Sequence, residues 1–340
     1  MARGAMSLTG HIGTPNSPVR AFFLERLPHT DAVVHSSAVA LRGASTTAPL
    51  AAASDVNPGR AGTAVDYLLR FALAPEPCPR HASVHAGAGM LGKRLSESAL
   101  GAVDEALAHV ASVAAYRRTP TDDEWAELAQ VSLVLATFEA VYRSGLPPAV
   151  VLELKKPPAG WRAWAEAVCI EAEVEDVAVL GWAAAVDHHP LRGRDLRCNP
   201  IFKQSHALGG ADADLITDDG LLIDLKSTST RRVCSRSDLW QLCGYALADT
   251  DDELAIKNVG LSALRWRTQA TWPLCELLQA FAGTSIDLRF LRREFAMLLE
   301  DVASAKLADH ERRRAGRIAP NPTVRKSRSV RPGVIRRRQR

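Results

Sequence analysis

A chain of 340 residues with 47% apolar and 24% charged residues has globular composition, which excludes a disordered or fibrous chain and allows one elaborated domain. No apolar run reaches membrane-spanning length and residues 1–13 lack a signal-peptide core, so the expectation is a cytoplasmic protein without membrane contact. Six cysteines without any Cys-x-x-Cys pair indicate neither a zinc ribbon nor a disulfide framework. The net charge of +4 conceals a split: residues 311–340 hold 12 Lys/Arg and one Glu, net +11, and residues 1–310 hold 30 Lys/Arg and 37 Asp/Glu, net −7.

Residues 1–20 read as weakly structured and flexible, and residues 31–60, rich in Ala, Ser and Thr, do not decide between strand and loop. Asn57-Pro58-Gly59-Arg60 is a turn signal. The stretch from Gly62 to Phe71 has helical periodicity, with Val65, Leu68, Leu69 and Ala72 on its apolar face and Asp66 at the edge of that face. Three prolines and several glycines make residues 75–90 a loop. Two long amphipathic helices are predicted over 96–117 and 122–144, the second with Thr121 as N-cap and ended by Pro147-Pro148. Residues 150–154 suit a short strand or a helix start. Residues 160–186 are again helical, with Trp161, Trp164 and Trp182 expected in the core. The acidic run Glu171, Glu173, Glu175 and Asp176 is expected to be a solvated face. His188 and His189 precede Pro190 without the further spaced ligands that zinc requires. The block from about 84 to 190 therefore reads as a self-contained helical insertion.

Arg192, Arg194, Arg197 and Lys203 then form an irregular basic stretch, and Arg231, Arg232 and Arg236 lie on the far side of the next element. Such flanking cations suit phosphate-backbone contact. Between them, Gly209–Ile216 and Leu221–Lys226 read as two strands joined by a tight turn at Asp218-Asp219-Gly220. Strand alternation puts Asp224 and Lys226 on one face, and Asp212 and Asp214 likewise share a face. Two carboxylates and an ammonium gathered at one end of a sheet suit a divalent cation and a phosphate. A helix follows over 238–248 with Ser237 as N-cap. Its buried stripe is Leu239, Leu242, Cys243 and Ala246, and Gln241 and Tyr245, four apart, are expected on the opposite, polar face. Residues 256–266 form a strand, and helices are predicted over 273–281 and 285–306. The basic tail from residue 311 has Pro320, Pro322, Pro332 and Gly333 and few large apolar residues, so it is expected to be disordered and to add sequence-independent phosphate contacts.

An acidic residue, then Asp-x-Lys, then Gln-x-x-x-Tyr, on hairpin and helix in that order, resembles the PD-(D/E)xK nuclease superfamily in its RecB-like branch. Asp214, Asp224, Lys226, Gln241 and Tyr245 occupy the matching positions, with Asp212 the rival for Asp214. The matched motifs cover only about residues 209–248. An earlier echo is Gly62-x-x-x-Asp66, where the branch carries a Gly-x-x-x-His signature whose last residue approaches the metal; here Asp stands in place of His. The resemblance implies an α/β, restriction-endonuclease-like core over 21–310, a mixed sheet flanked by helices with the helical block inserted. It implies Mg²⁺ or Mn²⁺ held by Asp214, Asp224, the Leu225 carbonyl and, directly or through water, Asp66. Lys226 would orient water or stabilise phosphate charge, and Gln241 and Tyr245 would position the strand or support Lys226. The implied activity is metal-dependent hydrolysis of DNA, in repair or in defence against foreign DNA. The close cysteine cluster of iron–sulfur members is absent. The alternative is an inactive nuclease fold that binds nucleic acid or a partner protein, against which the retained Asp214, Asp224 and Lys226 argue.

Overall fold

The computed structural model describes residues 7–44, 49–51, 56–73, 81–115, 120–192, 194–205, 208, 213–230 and 233–318. The chain divides into two units, Met1–Val302 and Ala303–Arg340. The first is α/β: helices precede and flank a five-stranded mixed sheet. No described helix is long and apolar enough to cross a membrane.

Of residues 1–20, expected to be weakly structured, 1–6 lie outside the described residues and 7–20 carry one short helix and the start of another. The Ser7 side chain caps α1 (Leu8–Gly13) by accepting from the Gly10 N–H at 3.2 Å. Leu8 and Ile12 of α1, and Val19 and Phe23 of α2 (Pro18–Arg26), are buried. Helices this short hold too few turns to show a period, which is why the sequence did not reveal them. The first half of the undecided stretch 31–60 is helical too, within α3 (Thr30–Ala44), and residues 45–48 and 52–55 lie outside the described residues.

The early helix is α4 (Pro58–Leu73). The segment expected as a loop contains α5 (His81–Gly89), and residues 74–80 lie outside the described residues. One of its glycines serves packing: a Cβ on Gly87 would stand 1.9 Å from the Phe138 carbonyl of α7 (Asp122–Ser144), so only glycine admits this approach. Helix α6 (Lys93–Ala115) precedes α7, which starts on the expected cap, with Thr121 and Glu124 closing a reciprocal capping box. The segment at 150–154 resolves as α8 (Ala149–Leu152), and the helical stretch after it is α9 (Gly160–Val168) and α10 (Glu171–Asp187).

Two expectations for α10 are corrected. Trp161 and Trp164 are buried, but Trp182 is 45% exposed, because α10 turns Leu180, Gly181 and Ala184 inward; Gly181 lies against Leu68. Only half of the acidic run is a solvated face: Glu171 and Glu175 are exposed, whereas Glu173 and Asp176 are buried. Glu173 pairs with Arg60 at 3.2 Å, and Asp176 accepts two hydrogen bonds from the buried Arg265 at 2.8 and 2.6 Å. The block is not self-contained either: Val65, Leu68 and Leu69 of α4 share one core with α7, α10 and the sheet residues Leu215 and Ile223.

The sheet order is β1 (Leu196–Cys198), β2 (Leu215–Thr217), β3 (Leu221–Lys226), β4 (Asn258–Ala263) and β5 (Thr268–Pro273). Neighbours are antiparallel except β3 and β4, which are parallel and joined through α11 (Arg236–Ala248). The stretch 256–266, expected as one strand, holds β4 and a short 3-10 turn; Arg267, at φ +50°, then turns the chain into β5. The three-residue β1, inside the supposed basic loop, was too short to read. Helices α12 (Leu274–Ala282) and α13 (Leu288–Ile318) end the described chain. Helix α13 continues past residue 311, so the first tail residues are helical rather than disordered. The run Leu307–Ile318 holds good helix formers and no proline. The second unit is described only to Ile318; residues 319–340 lie outside the described residues.

Removing one partner of a buried ion pair strands the other charge, at a cost of about 3–5 kcal/mol. Asp176→Ala is therefore expected to lower unfolding free energy by about that much in urea denaturation, and a loss below ~1 kcal/mol would contradict the buried pairing with Arg265.

Candidate active site

The hairpin is pinned at its turn. Gly220 has φ +86°, and a Cβ there would meet the Ala255 carbonyl at 2.3 Å. Its own carbonyl accepts from the N–H groups of Lys257 and Asn258 at 2.9 and 3.1 Å, tying the turn to the start of β4. Arg194 pairs with Asp218 and, at 3.2 Å, with Asp219.

At the other end the two strands part. Their last pair is Leu215 opposite Ile223, and Asp214 lies one residue beyond. The Leu225 N–H, left without a ladder partner on β2, donates to Asp214 Oδ2 at 2.7 Å. A strand residue's N–H and C=O point to the same edge, so the Leu225 carbonyl faces the same opening. On β3, Asp224 is buried and Lys226 partly so. The Lys226 Nζ stands 2.7 Å from Asp224 Oδ2, donates to Gln241 Oε1 at 2.9 Å, and lies 3.6 Å from Asp238 Oδ1. Gln241 Nε2 donates to Tyr245 Oη at 2.6 Å, and the Tyr245 ring stacks on Phe202 at 5.6 Å.

Helix α11 starts two residues before its expected position. Ser235, not Ser237, is the N-cap, because Asp238 sits three residues on and closes a capping box. Gln241 and Tyr245 neighbour each other as expected, but not on a solvated face. Every α11 residue from Leu239 to Ala248 is buried, and the pair is closed against β3.

The electrostatics follow from this burial. The Asp214 carboxyl is pushed up to about 7, first by burial and then by the charges of Asp66 and Asp224, against the opposing pull of Arg70 and the Leu225 N–H. Asp224 is also raised, by burial above all, although Lys226 opposes the shift. Burial works against the charge on Lys226, but Asp224 and Asp238 outweigh it and hold its pKa above the ordinary lysine value. Tyr245 is raised by burial and by both site carboxylates, so its hydroxyl stays protonated.

The early helix closes onto this end of the hairpin. A Cβ on Gly62 would stand 2.8 Å from Ser227 Oγ, immediately after β3, and Arg265 Nε donates to the Ser227 carbonyl at 2.8 Å. The Asp66 charge acts on both Asp214 and Asp224. Its carboxylate is engaged by the buried Arg70, four residues on, which also lies over the Tyr67 ring. Among the described residues, no three His, Cys, Asp or Glu side chains group as a metal cage. Asp66 thus reaches the site through its charge and its ion pair. Asp212, the rival of Asp214, lies outside the described residues.

The basic residues are only partly available. Lys203 pairs with Asp251, and Arg236 donates from Nε to Asp31 at 2.6 Å while lying over Trp240. Arg192 and Arg197 are exposed, and Arg231 and Arg232 lie outside the described residues. Two participants were not anticipated. Arg70 had a signal, an Asp–Arg pair at i, i+4. Asp238 had one as the third residue of a capping box.

A raised folded-state pKa means the folded chain holds a proton that the unfolded chain releases. The contribution of Asp214 is complete near pH 4 and lost as pH rises through about 7. The buried His188, with its pKa lowered by burial, acts in the opposite direction, so Asp214→Asn serves as the reference. In EDTA, wild-type stability should fall relative to Asp214→Asn between pH 5 and 8, by up to about 1.4 kcal/mol per pH unit. Parallel pH profiles of Tm would contradict the assignment. No family model matches the chain, nor does any curated protein or solved structure, so the functional reading rests on the residues of this site.

Proposed function

We propose that the chain is a divalent-metal-dependent nuclease that hydrolyses phosphodiester bonds in DNA, with a core of the restriction-endonuclease type. The observation that carries this reading is the string Asp224–Lys226–Gln241–Tyr245, hydrogen-bonded or ion-paired at each step, beside a second buried carboxylate, Asp214. The run of α4, three antiparallel strands, α11 and the parallel β4 supports the core type.

The donor set fits a hard cation. Asp214 and Asp224 are oxygen ligands whose mutual charge is under-compensated, as their raised pKa values attest. The Leu225 carbonyl faces the same opening. Mg²⁺ commonly takes one or two carboxylates and leaves other positions to water and phosphate, so a full protein cage is not required. Asp66 would act by its charge. A bound Mg²⁺ or Mn²⁺ would supply Lewis-acid polarisation of a phosphoryl oxygen.

The chain's own residues divide the remaining work. Lys226 stays an ammonium throughout the physiological range, so it serves as a hydrogen-bond donor and fixed positive charge, not as a general base. Asp224 and the Gln241 amide oxygen hold two sides of that ammonium. Tyr245 fixes the Gln241 amide so that its oxygen faces the lysine. The positive tail on a negative body supports a polyanionic substrate.

Labelled linear DNA should be cleaved with Mg²⁺ and spared in EDTA, and Lys226→Ala should lose about 10²–10³-fold in turnover while retaining DNA binding. Cleavage undiminished by EDTA, or a fully active Lys226→Ala, would contradict the proposal. Deleting residues 319–340 removes eight Lys/Arg and no Asp/Glu. The shortened chain should bind DNA more weakly and with a shallower dependence on log[salt], since fewer counterions are released. Equal affinity and slope would exclude a binding role for that segment.

A further inference from the structure

The sheet register, continued by one residue, brings a third oxygen donor to this end of the sheet. The pairing of Cys198 with Leu215 leads to Asn199 opposite Asp214, and that of Leu215 with Ile223 leads to Asp214 opposite Asp224. The Asn199 N–H donates to the Asp214 carbonyl at 2.9 Å, so the first step of this continuation is a real contact. Directly opposed residues share a face of the sheet, with Cβ atoms about 4.5–5.5 Å apart. Asn199 therefore lies beside Asp214 at the end of β2, next to the point where β2 parts from β3 and Asp224.

Asn199 is only 2% exposed, and its Oδ1 is buried without a hydrogen-bond partner among the described residues. Its backbone has φ +50°. Asparagine tolerates that conformation, but glycine would meet it as well and would bury no orphaned oxygen. The backbone thus explains the turn and leaves the carboxamide unexplained. A buried amide oxygen on the residue bonded to the Asp214 backbone would be satisfied by a cation, or a water held by one, at this end of the sheet.

We propose that Asn199 Oδ1 is an additional oxygen contact for the divalent cation of this site. The proposal rests on the reading of Asp214 and Asp224 as a metal site. It is tested on the full chain by calorimetric titration with Mn²⁺ alone, in wild type, Asn199→Gly, Asn199→Asp and Asp224→Asn, alongside Tm in EDTA. Asn199→Gly should keep or raise its metal-free Tm while weakening Mn²⁺ binding about 10–100-fold. Asn199→Asp should lower the metal-free Tm, by adding a buried charge beside Asp214, and bind Mn²⁺ more tightly than wild type. A merely structural asparagine would not move stability and affinity in opposite directions. If Asp224→Asn weakens binding but both Asn199 variants bind like wild type, this inference fails and the metal site stands. If wild type does not bind Mn²⁺, or Asp224→Asn binds as wild type does, the metal site itself fails and this inference with it. Should Asn199→Gly not fold, the affinity of Asn199→Asp decides alone.

Discussion

The end of the sheet is governed by the cost of holding Asp214 and Asp224 together away from water. Burial raises the pKa of both; the charges of Asp66 and Asp224 raise Asp214 further, and those of Asp238 and Asp66 raise Asp224. The surrounding structure offsets part of this charge with three groups of different origin. Lys226 comes from the same face of β3, the Leu225 N–H from the ladder position that β2 vacates, and Arg70 from α4. None of them neutralises the pair fully. What remains is a protein environment that a small divalent cation would complete.

The architecture can be understood as the means of keeping that arrangement closed. Helix α11 places Gln241 one hydrogen bond from Lys226, and its capping residue Asp238 adds a second carboxylate within 3.6 Å of the same ammonium. Helix α4 reaches the hairpin because position 62 is glycine, and the helical block behind it shares its core. Arg265 links three parts of the chain. It pairs with Asp176 of α10, accepts its place between β4 and β5, and donates to the Ser227 carbonyl at the end of β3. The acidic residues of α10 thus work at a distance from the site, by fixing the strand that carries Asp224 and Lys226.

Much of this was legible in the sequence where a local rule carries the information. The Asp-Asp-Gly turn, the same-face Asp224/Lys226 pair, the four-residue spacing of Gln241 and Tyr245 and the Thr121 cap each depend on neighbours within a few residues. The misreadings arose where distant contacts decide. Glu173 and Asp176 look like a solvated run until Arg60 and Arg265 are brought to them. Trp182 looks like core until α10 turns its small residues, Gly181 and Ala184, inward. Gly87 of α5 reads as loop because a glycine needed for close helix packing is indistinguishable from one needed for a turn. Asn199 gave no sign at all, since its relation to Asp214 is a matter of register between strands of three residues.

The measurement that bears most directly on the central claim is the anomalous difference density of a crystal grown with Mn²⁺. The expected result is a peak bounded by the Asp214 and Asp224 carboxylates and the Leu225 carbonyl, with metal–oxygen distances of about 2.1–2.2 Å. Saturating Mn²⁺ with no peak there would contradict it.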